Sequence, residues 1–285
     1  MNNSPEPTSP TPLDDLPDWF LDREVIPLED DLALVVSHAT MRGIVAICRD
    51  LAANPAPLLL TGETGVGKTL IARFLHASRD PEAPLASFLC AGLDEAVLRA
   101  RLFGPDQLAE NAGQPTLMDE AADGTLVLEE AGLLPESIQR RLMEFWDSKN
   151  DCGPAQWICT TNAPEQAEGP AGPVGFLPEF AARFRRVHVP PLRERPGDIP
   201  ALVAYFARMR ASKQKSLEGL ARLAERLADY SFPGNVRELE SLMALEAIGL
   251  PWRWRVAGAE QGWGVKAAPR KKRRPPAAKA GGRKA

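Results

Sequence analysis

With 285 residues, 44% hydrophobic and 25% charged side chains, the chain is long enough to bury a proper core in one large or two smaller domains. No apolar run approaches the roughly 20 residues that a membrane span needs, and the N-terminus has no secretory apolar stretch. The expectation is therefore a cytoplasmic protein with no membrane partner. The net charge of −4 averages two opposed ends: residues 1–31 carry nine acids and one base, residues 265–285 nine bases and no acid. Cys48, Cys90, Cys152 and Cys159 lack CxxC spacing and read as reduced, mostly buried thiols rather than a disulfide or zinc framework.

In chain order, residues 1–17 hold five prolines among Ser, Thr and Asp and cannot build a core. Residues 38–53 show apolar positions at helical spacing: Met41, Ile44, Val45, Ile47, Cys48 and Leu51. Pro57 to Thr61 is a short continuous apolar run, as a buried parallel strand requires. A helix starts at Gly67 and carries Leu70, Ile71, Phe74 and Leu75. Further strands are predicted at 85–90, 125–129, 155–160 and 186–189, with helices at 94–102 and 135–147. Such alternation implies an α/β domain with a parallel sheet covered on both faces. After Pro196 only helical faces remain (Ile199, Leu202, Val203, Phe206; then Leu217, Leu220, Ala224, Leu227; then Val236, Leu239, Leu242, Met243), which predicts a small all-helical domain. Residues 256–285 are Gly, Pro, Ala, Lys and Arg with almost no large apolar side chain.

Gly62-Glu63-Thr64-Gly65-Val66-Gly67-Lys68-Thr69 matches G-x-x-x-x-G-K-[ST] in full, after a predicted strand and opening a predicted helix. The glycines let successive N–H groups turn in around phosphates, where a side chain would obstruct. The helix N-terminus adds positive potential, Lys68 reaches the β/γ-phosphates, and the Thr69 hydroxyl ligates Mg²⁺. The site calls for ATP and Mg²⁺. Thr125-Leu126-Val127-Leu128-Glu129-Glu130 is an apolar strand ending in two carboxylates. Glu129 is placed to hold Mg²⁺ through water, and Glu130 to polarise an attacking water. Trp157 to Asn162 is a strand ending in polar groups, placed to sense a γ-phosphate at the carboxyl end of the sheet. Arg183, Arg185 and Arg186 form a basic cluster suited to transition-state charge on a phosphoryl group, its own or a neighbour's; a solvated basic face is the lesser reading. Arg270-Lys271-Lys272-Arg273-Arg274 suits salt-dependent, non-specific DNA or RNA binding; a solubility tail, or a partner for the acidic N-terminus, is the other reading.

Over roughly residues 35–250 the chain resembles the AAA+ domain of bacterial sigma-54-dependent transcription activators. The resemblance rests on "TGETGVGKTLIARFLHASR" (61–79), "GTLVLEEAGLLPESIQRRLMEF" (124–145), "VPPLRERPGDIPALVAYF" (189–206) and "FPGNVRELESL" (232–242). It implies a P-loop NTPase with a five-stranded parallel sheet flanked by helices and a helical lid. It also implies a ring oligomer with ATP between subunits, Arg237 as the lid's sensor arginine, and Asn162 in the first sensor. The corresponding organisation is an acidic, Pro-rich, disordered segment (1–34), the AAA+ α/β domain (35–192), the lid (193–250) and a basic disordered tail (251–285).

The departures from that family are specific. Its GAFTGA loop, which touches the sigma factor, is replaced by Pro105 to Gly113 without the motif. Its usual Asp-Glu pair is Glu129-Glu130, and the extra methylene shifts the Mg²⁺-directed carboxylate by about one C–C bond. The asparagine that partners the catalytic glutamate is Leu89, which offers no hydrogen bond. The first finger arginine falls at Leu177, while the second is kept as Arg183. Within these 285 residues no sensory domain is expected before residue 35, and no helix-turn-helix is recognisable after 250. Two functional readings stand. One is an ATP-binding regulator of transcription with weak or ring-dependent ATPase activity, working with itself or a related activator on RNA polymerase with sigma-54. The other is an ATP-gated interaction or assembly protein with a non-polymerase client.

Overall fold

The computed structural model describes residues 24–28, 32–104, 115–148, 153–162, 175–209, 223–227 and 230–247. Five short runs, β3 (Leu58–Thr61), β4 (Leu85–Leu89), β5 (Thr125–Glu129), β6 (Gln156–Thr161) and β7 (Arg185–His188), pair in parallel in the order β4-β5-β6-β3-β7. Both β3 and β6 are buried at every position, as parallel strands covered on two faces must be. The two-residue period of a strand divides their side chains between two cores. Leu59, Leu126, Leu128, Trp157 and Cys159 face helices α3 (Glu95–Phe103), α4 (Leu117–Glu120), α5 (Glu136–Asp147) and α6 (Pro178–Ala181). Leu58, Leu60, Val127, Ile158 and Val187 face α1 (Ala39–Ala53) and α2 (Lys68–Arg79).

A third core lies in the helical unit after Pro196. It gathers Ile199, Leu202 and Val203 of α7 (Ile199–Met209), Leu223, Ala224 and Leu227, and Leu239, Leu242 and Met243 of α8 (Asn235–Ala247). Single 3-10 turns at Leu192–Glu194 and Pro196–Asp198 connect this lid to β7. The predicted elements between residues 38 and 206 therefore agree with the structure to within about a residue at each end.

The N-terminal boundary does not. Residues up to 34 are expected from their acids and prolines to lack structure, yet β1 (Glu24–Pro27) and β2 (Ala33–Val36) form an antiparallel hairpin. Its apolar residues explain why. Leu34 and Val36 enter the core beneath α1 and α2, with Ile26 packed against it, while Val35 enters the lid core, with Val25 against that. The short apolar runs are diluted in sequence by Glu29, Asp30 and Asp31, so composition alone misses them.

Cys48, Cys90 and Cys159 are free and buried, and burial pushes the first two thiols up to about 12, as expected of inert core thiols. Among the described residues there is no cluster that could hold a metal through His, Cys, Asp and Glu, and no helix is long and apolar enough to cross a membrane. The loop replacement at 105–113, Leu217, Leu220, Cys152, residues 1–17 and the tail 251–285 lie outside the described residues. Leu34 is only 4% exposed, so Leu34→Ala should lower stability by about 2–4 kcal/mol. Urea denaturation measures it, and a loss near zero would show that the hairpin is not part of the folded unit.

Candidate nucleotide site

The loop between β3 and α2 is built by controlling where its carbonyls point. Lys68 Nζ donates to the carbonyls of Gly62 (2.7 Å) and Glu63 (3.1 Å). Asn235 Nδ2 donates to Thr64 O at 3.1 Å, and the Val236 and Arg237 N–H groups donate to Gly65 O at 3.0 and 3.4 Å. Arg195 donates to Val66 O at 2.6 Å, and Gly67 O accepts the first helical bond, from Ile71 N–H. In a trans peptide C=O and N–H point opposite ways, so anchoring the carbonyls turns the N–H groups to the other side, towards the cleft. Two glycines make this path possible. Gly67 sits at φ 108°, left-handed backbone that caps α2. A Cβ on Gly65 would collide with the Gly234 carbonyl, so the lid could not approach.

Lys68 is 7% exposed, and its ammonium also donates to Asn162 Oδ1 at 2.7 Å. Burial lowers its pKa and Arg237 adds to this, while Glu130 and Glu129 act in the opposite sense. Thr69 Oγ1 donates to Glu129 Oε2 at 3.3 Å, and Ser87 Oγ donates to Glu129 Oε1 at 3.0 Å. Glu130 adopts left-handed backbone (φ 56°), which a non-glycine residue rarely does. There its N–H donates to Thr160 Oγ1 and its Oε2 accepts the Asn162 N–H, each at 3.3 Å. The expected residues Lys68, Thr69, Glu129, Glu130 and Asn162 thus converge at the carboxyl end of the sheet, where α/β proteins bind ligands.

The junction between sheet domain and lid holds residues that sequence reasoning passed over. Asn235 is fully buried and left-handed (φ 53°), a conformation Asn tolerates better than most. Its Oδ1 accepts the Leu192 N–H at 2.8 Å, and its amide also reaches Glu63 Oε2 at 3.0 Å. Glu63 faces this junction and takes two bonds, 2.6 and 2.9 Å, from Arg193. Those bonds hold the Glu63 carboxyl below its ordinary 4.5, against partial burial, with Asn235 assisting. Arg195 is 2% exposed and paired at 3.4 Å with fully buried Asp198, whose Oδ1 accepts the Ser37 and His38 N–H groups at 2.8 and 2.6 Å. Burial lowers the Arg195 pKa and Asp198 opposes the shift. In the run "GNVREL" the sequence marks Val236 and Leu239 as a helical face and Arg237 as the sensor arginine, but gives Asn235 no role.

The resulting cleft has a volume of about 710 Å³. One wall is polar (Thr64 to Thr69, Glu129, Glu130, Asn162, Arg237), and the other is apolar (Leu32 to Val35 of the hairpin region, with Leu202, Tyr205 and Phe206 of the lid). A polar end with N–H groups and an ammonium, joined to an apolar slot, fits a nucleoside polyphosphate. The Thr69 hydroxyl beside the Glu129 carboxylate supplies the hard oxygen donors that Mg²⁺ prefers.

Arg183 does not line this cleft. It forms a bidentate pair with Asp147 at 2.7 and 2.8 Å and lies over Trp146, while Arg185 pairs with Asp50. In this chain those two arginines act as surface ion-pair partners. Leu177 is buried and its N–H donates to Gln139, so nothing at that position reaches a phosphate. Leu89, 54% exposed, lines the cleft where a hydrogen-bonding partner for Glu130 is expected.

Fold and site together define a P-loop nucleotide-binding module with a helical lid. Residues 34–151 match the Sigma-54 interaction domain and residues 193–248 the AAA+ ATPase lid domain. The chain is 30% identical over 236 residues to the transcriptional regulatory protein FlbD of Caulobacter vibrioides, covering 75% of this chain and 50% of that one. It is 33% identical to the regulatory protein AtoC of Escherichia coli (69% and 47% covered) and 35% identical to that organism's Psp operon transcriptional activator (68% and 64%). The chain thus spans 47–64% of the length of these relatives. Crystal structures of NtrX from Brucella abortus with ADP and with ATP share the fold, with TM-scores of 0.63 and 0.61 at 23% identity; each covers about three quarters of this chain, which spans 51% and 52% of theirs. The chain belongs to the family of AAA+ domains of sigma-54-dependent transcriptional activators, as a divergent member without the GAFTGA sequence.

Asn235→Ala would strand Thr64 O and the Leu192 N–H, and should cost about 1–3 kcal/mol of stability together with at least tenfold in ATP affinity. Denaturant titration and calorimetry measure both; unchanged affinity would show that the lid does not shape the loop. Because the Glu63 pKa is lowered on folding, its contact contributes fully above pH 4.5 and is lost as pH falls through the lowered value. A Glu63→Gln variant should lack that part of the acid dependence of the melting temperature.

Proposed function

We propose that this chain binds ATP with Mg²⁺ in the cleft and acts in a ring, with copies of itself or with a related activator ATPase, to regulate transcription by RNA polymerase carrying sigma-54. The observation that carries the reading is the phosphate loop: the carbonyls of Thr64 to Gly67 are held by Asn235, the Val236 and Arg237 N–H groups, Arg195 and Ile71 N–H, while Lys68 and Thr69 stand at the cleft floor. Lys68 would exchange its three oxygen partners for phosphate oxygens, and Arg237 would meet the nucleotide from the lid. Thr69 and Glu129 are the residues that would hold Mg²⁺, which would neutralise phosphate charge when bound with the nucleotide. Glu130 would orient an attacking water and Asn162 would report the γ-phosphate. Arg183 would act only on a neighbouring subunit's nucleotide, and only after leaving Asp147. Leu89 and Leu177 both argue for slow hydrolysis, because neither can hydrogen-bond where a polar group is needed.

The second reading, an ATP-gated assembly protein with a non-polymerase client, is favoured by the sequence Pro105 to Gly113, which lacks the sigma-contacting motif. Retention of the chain on immobilised sigma-54 holoenzyme with a transition-state nucleotide analogue separates the two. Lys68→Ala should weaken ATP binding at least 100-fold in calorimetry and abolish ATP-dependent oligomers in sizing experiments. Unchanged affinity would refute the site.

A further inference from the structure

The Mg²⁺-directed carboxylate is longer than the family's aspartate, and the structure shows where the added length goes. Residue 129 is the last of β5, and in the parallel register it stands opposite Leu89, with Ser87 opposite Val127. Leu85, Ser87 and Leu89 point to one face of edge strand β4, since side chains alternate along a strand. Leu89 has no donor, so the group beside Glu129 cannot bond it. Ser87 lies diagonally back, at a Cα separation of about 8 Å, a span that a glutamate and a serine side chain cover together. Ser87 Oγ meets Glu129 Oε1 at 3.0 Å, and the other carboxylate oxygen meets Thr69 Oγ1 at 3.3 Å. An aspartate in the same backbone would fall short of Ser87 by about one C–C bond, roughly 1.5 Å, beyond hydrogen-bond reach.

We propose that Ser87 is a positioning residue: its hydroxyl clamps the Glu129 carboxylate in the orientation that presents its second oxygen beside Thr69, for a divalent cation bound with ATP. This inference rests on the Mg-ATP reading of the cleft. Ser87 and Glu129 are both open to solvent, so the bond acts by restricting the rotamers of a flexible side chain rather than by burial. Serine and glutamate form one unit here.

Binding of a fluorescent ATP analogue to the full chain, titrated with MgCl₂ and repeated in EDTA, tests the clamp without relying on turnover. In Ser87→Ala the Mg²⁺ concentration at half-effect should rise about three- to tenfold, with affinity in EDTA unchanged within twofold. Ser87→Thr, which keeps the hydroxyl, should restore the wild-type curve. In the Glu129→Asp background, Ser87→Ala should have no further effect. An unshifted Mg²⁺ curve for Ser87→Ala, an equal shift in the Glu129→Asp background, or a loss of affinity in EDTA would each overturn the clamp. If the wild-type chain binds the analogue with no Mg²⁺ dependence at all, the Mg-ATP reading fails first, and the clamp with it.

Discussion

Six consecutive carbonyls, from Gly62 to Gly67, each have a hydrogen-bond donor, and the donors come from α2, the 192–198 junction and the start of α8. A loop of this length has many accessible backbone states, and three glycines widen that choice further. Four of these anchors, on Thr64 to Gly67, come from groups other than the Lys68 ammonium, and they select one state of the loop. With the carbonyls committed, the N–H groups have a single side left to face, and the cleft receives the donors that an anion requires. The phosphate site is therefore a property of the sheet domain and lid together.

That dependence accounts for features that otherwise look incidental. The buried Arg195–Asp198 pair is expensive to desolvate, and breaking such a pair is usually more costly than keeping it. Here it links the Val66 carbonyl, through both side chains, to the start of α1. The β1–β2 hairpin contributes Val35 to the lid core and Leu34 and Val36 to the sheet core, so it bridges the same two bodies on the apolar side of the cleft. Polar anchors and apolar hairpin thus hold the lid from opposite sides. Residues that line the cleft lie as far apart in sequence as Leu34 and Arg237.

Much of the fold was legible in the sequence because its signals are local. The apolar run Leu58 to Thr61, the helical spacing from Leu70 to Leu75 and the G-x-x-x-x-G-K-T pattern each announce their structure within a short window. The five strands that result carry Lys68, Thr69, Glu129, Glu130 and Asn162 to one place, as the order of motifs along the chain implied. The hairpin was not legible, since two four-residue strands among acids and prolines gain their stability from cores made elsewhere. The bonds of Asn235 and Arg195 to the loop were hidden for a related reason: both depend on long-range closure of the lid, and nothing within ten residues of either shows its partner. The resemblance made Arg183 a finger arginine, and the sequence does not show that in a single chain it is engaged by Asp147.

Hydrogen–deuterium exchange of the full chain, with and without Mg-ATP, tests most directly whether loop and lid form one site. Nucleotide binding should slow exchange together in residues 62–69 and in 235–241, because the first turn of α8 holds the Thr64 and Gly65 carbonyls of the loop. Protection of 62–69 with no change at 235–241 would contradict the account, and so would nucleotide binding that protects neither.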